Sequence, residues 1–284
     1  MADDARIEEA QRAAWSGLSG AWERWDAVIT AQLAPVGAAM IDALDIPMAA
    51  HHLDIASGTG EPGLTIARLR PTAEVVLTDL SPEMLAVARR RAVSQGIANV
   101  EVRVAGADDL PFADATFDTV SVRFGHMFFP DLARATVELA RVLRPGGRLC
   151  SAVWVDPTRN PWTSVAMDAL AAEIALPPPD PDGPSMYRCA APGQVTALFE
   201  EAGLVDVHEW DVEVELVTAT ADEYWQVITE HVSLAAAALR SVDQGARQRA
   251  RARALEALAP YDADGSVRVP GLARCIVGTK PEGG

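Results

Sequence analysis

From residue 51 onward the chain alternates between two hydrophobic rhythms. Continuous apolar runs at 51–56, 74–78, 100–104, 117–122 and 148–155 have the length and composition of strands. Between them, at 61–69, 82–95 and 131–143, apolar residues recur at three- and four-residue spacing, the period of a helix with one buried face. Strand and helix in regular alternation predict an α/β fold, a mostly parallel sheet covered by helices on both faces. Right-handed crossovers then make it doubly wound.

The flanks follow other patterns. Residues 5–45 read as helix, rich in tryptophan at Trp15, Trp22 and Trp25, with Gly17 and Gly20 predicted to break it. The proline-rich stretches "DPTRNPW" and "LPPPDPDGPSMYRC" interrupt the rhythm over 156–190, around a helix expected at 161–175. "APGQVTALFEEAGL" reads as a helix stopped by Gly203, a natural residue just past a helix end. "VDVHEWDVEVELVT" alternates like a strand, 221–258 reads as helix, and "RCIVGTKP" closes the chain as a short strand. With no internal repeat and no linker, a single domain over 1–284 is expected. It divides into a helical cap over 1–45, a ligand-binding core over 50–155, and insertions over 156–190 and 221–258.

Composition narrows the partners. Of 284 residues, 49% are hydrophobic and 23% charged, as in a globular protein able to bury a core without disulfides. The formal net charge of -16 disfavours nucleic acid, whose phosphates need Lys and Arg. The arginine-rich "RSVDQGARQRARAR" at 240–253 lacks interleaved aromatics and suits a solvated helix face. Cys150, Cys189 and Cys275 are far apart and form no metal-binding pattern. No apolar run is expected to span a bilayer, and the acidic "MADDARIEEAQRAAW" lacks the apolar core of a signal peptide, so a cytoplasmic location is expected.

The chemistry concentrates at "LDIASGTGEPGLTIA", residues 53–67, where a strand passes through Gly58, Gly60 and Gly63 into a helix. Such a turn brings a ligand close to bare main chain, and both dinucleotides and S-adenosylmethionine use it. Asp54, four residues before Gly58, would repel a pyrophosphate but suits the ammonium and sulfonium of S-adenosylmethionine. Asp79 ends the next strand about 20 residues further on, where a carboxylate holds a ribose diol in either ligand. Ser81 and Pro82 then start a helix as N-cap and first-turn residues.

Taken in order, "LDIASGTG", "LTDLSPEML", "GADDLPFADATFDTV" and "ELARVLRPGGRL" resemble the class I S-adenosylmethionine-dependent methyltransferases, closest to the ubiquinone/menaquinone-biosynthesis group. The likeness covers about residues 50–153. It implies a Rossmann-like, seven-stranded sheet with the last strand antiparallel and a helical lid. It implies S-adenosyl-L-methionine as cofactor, held by Asp54, Ala56, Ser57, Gly58, Gly60, Asp79, Leu80, Met84, Ala107, Asp108 and Arg123. Two positions depart from the family. Ala56 stands where the first loop glycine is usual. Gly106 stands where the family often has Asp or Asn accepting from the adenine amino group, so Asp108 is the candidate replacement.

Methyl transfer needs alignment and exclusion of water more than it needs a catalytic side chain. A base is required only for a protonated acceptor. "VRFGHMFFPD" should follow the sheet's ligand edge, making His126 the candidate base, against a structural reading in which it packs on Met127 and Phe128. Trp15, Trp22, Trp25, His126, Tyr187 and His231 are candidate pocket residues, and Trp154, Trp162 and Trp225 extend the aromatic wall. The expected activity is methyl transfer to O, N or C of a small apolar or aromatic metabolite, without metal. A cyclase or isomerase that retains the cofactor is the alternative.

Overall fold

The computed structural model describes residues 2–174, 176, 183–240 and 243–283. The proline-rich run at 177–182, with residue 175, falls in the expected 156–190 insertion, and 241–242 in the expected 221–258 helix; these lie outside the described residues.

The chain opens with two helices, α1 (Ala2–Arg24) and α2 (Asp26–Leu44). The break falls at Trp25, not at the glycines: Gly17 and Gly20 lie within α1 with no close neighbours at their Cβ positions. Helix α2 is long and apolar enough to cross a membrane by composition, contrary to expectation. Here it is a core helix: Ile29, Leu33, Val36, Met40 and Leu44 are buried as it packs on the sheet.

The alternating core then follows: β1 (His51–Ile55), α3 (Gly63–Leu69), β2 (Glu74–Asp79), α4 (Pro82–Ser94), β3 (Val100–Val104), β4 (Phe117–Arg123), α5 (Leu132–Val142) and β5 (Leu143–Trp154). Beyond it lie α6 (Pro161–Ala171), α7 (Gln194–Glu201), β6 (Val205–Thr218), α8 (Ala221–His231), α9 (Ser233–Arg240), α10 (Gln244–Ala257), β7 (Asp262–Ala263) and β8 (Ser266–Thr279). The helix starts are written locally. Ser81 accepts the Met84 N–H at α4 with Pro82 behind it, Asp131 caps α5, and Thr220 caps α8. Gly203, at φ 84, follows the end of α7 as expected.

The strands form one sheet in the order β3-β2-β1-β4-β5-β8-β6, with the short β7 paired to β8. Strands β1 to β5 are parallel, and β8 runs antiparallel to both β5 and β6. The closing strand is much longer than the short segment expected, because it zips along the whole of β6. The chain runs outward through β1, β2 and β3, then returns to lay β4 on the other side of β1. A crevice opens at such a reversal, beyond the carboxyl ends of β1 and β4, and ligands bind there in open α/β sheets.

Candidate active site

The glycine loop and the acid after β2 form one unit. Ala56 turns out of β1 at φ 51, and Ser57 N–H donates to the Thr78 carbonyl at 2.9 Å, tying the loop to the neighbouring strand. Gly58 has φ 53, a left-handed conformation that favours glycine, and a Cβ there would meet nothing within 4 Å. Gly60 donates back to Ser57. Asp79 accepts the Gly58 N–H on Oδ2 at 2.9 Å and the Ser81 N–H on Oδ1 at 2.8 Å. Burial raises its pKa, and these backbone donors oppose the rise. Leu80 is partly exposed beside it, and Met84 is buried in the first turn of α4.

Asp54 sits deeper than the sequence suggests. It is fully buried; Oδ2 accepts from Gly63 N–H at 3.0 Å and Oδ1 from the Ser121 hydroxyl at 2.6 Å. It therefore acts from beneath the loop, holding the start of α3 to β4, and not as a carboxylate lining the cleft.

At the other side of Asp79, β3 leads into Gly106, Ala107 and Asp108. A Cβ on Gly106 would lie 3.2 Å from Asp108 Oδ1 and 3.9 Å from Glu8 Oε1 of α1. The Asp108 carboxylate thus stands beside the space that a side chain at 106 would fill. Its backbone carbonyl accepts from Arg134 Nε at 3.2 Å, which holds the loop. Ala107 is nearly buried.

Two arginines stand beside the loop. The side chain of Arg123, the last residue of β4, has no hydrogen-bond or ion-pair partner among the described residues, although Glu61 and Asp54 lie within electrostatic range. Arg91 on α4 was not anticipated. It donates to the Thr59 carbonyl at 2.7 Å and pairs with Glu61 and Asp26, each at 3.2 Å, binding the loop to α2. The run "ARRRA" gives no sign of which arginine turns inward.

Helix α1 lies across this region. Ser16 meets Ser81 Oγ at 3.0 Å and donates to Glu83 at the start of α4. From its inner face an aromatic series runs to the sheet edge. Trp15 contacts Phe128 and Trp22; Trp22 contacts His231; His231 contacts Trp162; Trp162 contacts Trp154, and Trp154 stacks on Phe124 at 4.2 Å. Trp25 stands outside the series, its N–H on Glu230. Tyr187 does too, its hydroxyl on Thr163 and its pKa pushed up to about 12 by burial. Trp225 is buried in the main core.

The histidines separate by hydrogen bonding. His126 is fully buried. Thr136 gives its own proton to the Leu132 carbonyl, so His126 Nε2–H donates to Thr136 Oγ1 at 2.9 Å, and Nδ1 accepts from Ser151. Burial lowers its pKa to about 4, as it does that of His231, but here both nitrogens are engaged, so this ring has no free lone pair for a substrate. The base expected there is not available. His231 differs: Nδ1 lies 2.6 Å from the Val227 carbonyl, and no partner meets Nε2 among the described residues. His51 pairs with Glu74 at the far end of β1, His52 is enclosed between β1 and β4, and His208 is exposed. The arginine run is spent on structure, with Arg249 and Arg253 both on Glu173 and Arg251 on Asp222.

Comparison with known proteins agrees with this geometry. Residues 53–147 match the family model described as "Methyltransferase domain". A demethylmenaquinone methyltransferase of Thermus thermophilus is 50% identical over 99 residues, 34% of this chain and 44% of that protein, so the chain spans under half of that relative's length. An uncharacterized protein of Mycobacterium bovis, Mb1440c, is 35% identical over 202 residues, 67% of this chain and 70% of its own. The crystal structure of YcgJ from Bacillus subtilis superposes with a TM-score of 0.56 at 21% identity, covering 87% of this chain and 98% of that one. The chain belongs to the class I S-adenosylmethionine-dependent methyltransferases, in the neighbourhood of the menaquinone and ubiquinone enzymes.

The residues present fit that cofactor. Ser57 Oγ is buried without a partner, the space at Gly58 is open, and the gap at Gly106 has a carboxylate beside it. Polar groups left unmatched in a folded interior mark a place where a polar ligand completes the bonding.

Proposed function

We propose that the protein transfers the methyl group of S-adenosylmethionine to a small aromatic or apolar acceptor. The observation that carries this reading is Asp79, a buried carboxylate that grips the glycine loop through Gly58 and the next helix through Ser81. Its fixed oxygens suit the ribose hydroxyls. Asp108 and the Ala107 N–H suit adenine, and the unpaired Arg123 guanidinium suits the methionyl carboxylate. When bound, the cofactor supplies an activated methyl group on a sulfonium. The chain's own part is to orient the donor, to keep water out with α1 and α8, and to offer the acceptor an apolar face. The aromatic series from Phe124 to Trp15 provides that face.

Calorimetry with S-adenosylmethionine and S-adenosylhomocysteine tests the cofactor, with micromolar binding expected of both. Mass spectrometry of an aromatic metabolite panel then tests transfer by a gain of one methyl group. Heat with neither ligand would overturn the reading.

A further inference from the structure

Two polar atoms on touching rings have no partner among the described residues, and they are of opposite kind. The carbonyl of Val227 can only accept, so His231 Nδ1 carries the proton of the neutral ring and Nε2 keeps a bare lone pair. Trp22 Nε1–H is buried, with no acceptor among the described residues. The two rings meet edge to face with centroids 5.6 Å apart. Leaving the buried indole donor unmatched costs about 1–3 kcal/mol, unless one small group serves both it and the imidazole nitrogen.

A hydroxyl does so, since its oxygen accepts while its hydrogen donates. The surroundings choose what carries it. Trp162 lies nearly parallel to His231 and is itself pinned by its N–H on Asn160 Oδ1. Through Trp154 it joins Phe124, the residue directly after Arg123 at the end of β4. Flat apolar faces next to a hydroxyl site select an aromatic ring.

We propose that Trp22 and His231 together recognise one hydroxyl of an aromatic acceptor, the indole donating to its oxygen and the imidazole taking its proton. The proposal rests on the methyl-transfer reading and names its substrate class. The oxygen–methyl bond forms as the sulfur–methyl bond breaks, S-adenosylhomocysteine is the leaving group, and the hydroxyl proton ends on Nε2. His231 is thereby a catalytic residue, in the place first expected of His126.

The test is calorimetric titration of the protein, saturated with S-adenosylhomocysteine, with 2-naphthol and with 2-methoxynaphthalene. The expected result is about ten-fold tighter binding of 2-naphthol, because a site built around a hydroxyl rejects the analogue that lacks its proton. His231→Phe should erase the preference and Trp22→Phe should reduce it, with affinity for S-adenosylhomocysteine kept. Equal binding of the two probes, binding of neither, or a preference that survives in His231→Phe overturns the hydroxyl site. Equal binding would mean that water satisfies both atoms. If His231→Phe fails to fold, the wild-type comparison and Trp22→Phe decide. No binding of S-adenosylhomocysteine by the wild type would instead bring down the methyl-transfer reading, and this proposal with it.

Discussion

Ser121 gives its hydroxyl proton to Asp54 across the β1–β4 pair, at 2.6 Å, in the register that places these residues opposite each other. One step back along the same face, His52 lies with Nε2 3.1 Å from Ser121 Oγ and Nδ1 2.8 Å from Thr119 Oγ1. A fully buried chain of hydrogen bonds therefore runs beneath the glycine loop and ends on the carboxylate that holds α3. The loop's position and that carboxylate's charge are set together.

Burial raises Asp54 from the usual 3.8 to about 7, against its bonds to Ser121 and Gly63. The folded value lies above the unfolded one, so the stabilisation is complete below the unfolded pKa and is lost as pH rises through 7. His52, His126 and His231 work oppositely, with values lowered to about 3, 4 and 4 and stability lost as pH falls below 6.5. Between pH 6.5 and 8 each of them still adds about 0.4 kcal/mol, since the unfolded rings are half protonated at pH 6.5 and neutral at pH 8, and it adds this equally in the wild type and in an Asp54 variant. Over that interval the wild type should fall behind Asp54→Asn by about 1 kcal/mol, a few degrees of Tm, because the histidine share is common to both and only the wild type carries the Asp54 term. Parallel melting curves for the two proteins would refute the assignment.

Arg91 predicts a defect of the loop without a change in any group that meets the cofactor. Its side chain is only 12% exposed and answers two carboxylates and a carbonyl. Replacement by Met keeps the length but strands Glu61 and Asp26, a loss of about 2–4 kcal/mol in stability. Affinity for S-adenosylhomocysteine should drop about ten-fold, because the loop must be ordered on binding. Hydrogen exchange at residues 57–63 should rise in parallel. Normal affinity in a folded Arg91→Met protein would show that the loop needs no tie to α2.

His126→Phe should separate structure from chemistry. The phenyl ring leaves the Ser151 hydroxyl without its acceptor in a fully buried place, which costs about 1–3 kcal/mol. A lower Tm with intact S-adenosylhomocysteine binding and, below the melting range, undiminished methyl transfer is expected. Turnover lost with Tm unchanged would restore His126 as a base.

These contrasts trace what could be read from the chain alone. The strands, the glycine turn and Asp79 were legible because each rests on neighbours in sequence: an apolar run, a bare loop, an acid ahead of a capping Ser81. Helix α1 runs through Gly17 and Gly20 because, beside its neighbours on α4, α8 and α9, tertiary packing outweighs the roughly 1 kcal/mol penalty of each glycine. Arg91 and the bare nitrogen of His231 were not legible. Arg91 matters through Asp26, 65 positions away in the chain, and periodicity does not report which of three consecutive arginines faces inward. His126 and His231 differ only in what reaches their nitrogens, Ser151 and Thr136 for one and a single carbonyl for the other. That is a property of packing.

Asp108 and Gly106 offer a rescue experiment. Gly106 is outside the left-handed region, so its backbone admits a side chain, and the space there borders Asp108 Oδ1. Asp108→Ala should weaken S-adenosylhomocysteine about ten-fold by removing the acceptor for the adenine amino group, a charged hydrogen bond of about 1.5–3 kcal/mol. Gly106→Asp alone should also weaken binding, because it would crowd two carboxylates together. Combined, the changes should cancel in part, since the new carboxylate at 106 takes over the acceptor role that the old one relinquishes. Calorimetry on the three variants measures the coupling directly. Strictly additive losses would show that Asp108 is not the adenine acceptor and that its carboxylate only pairs with Arg134, 3.8 Å away.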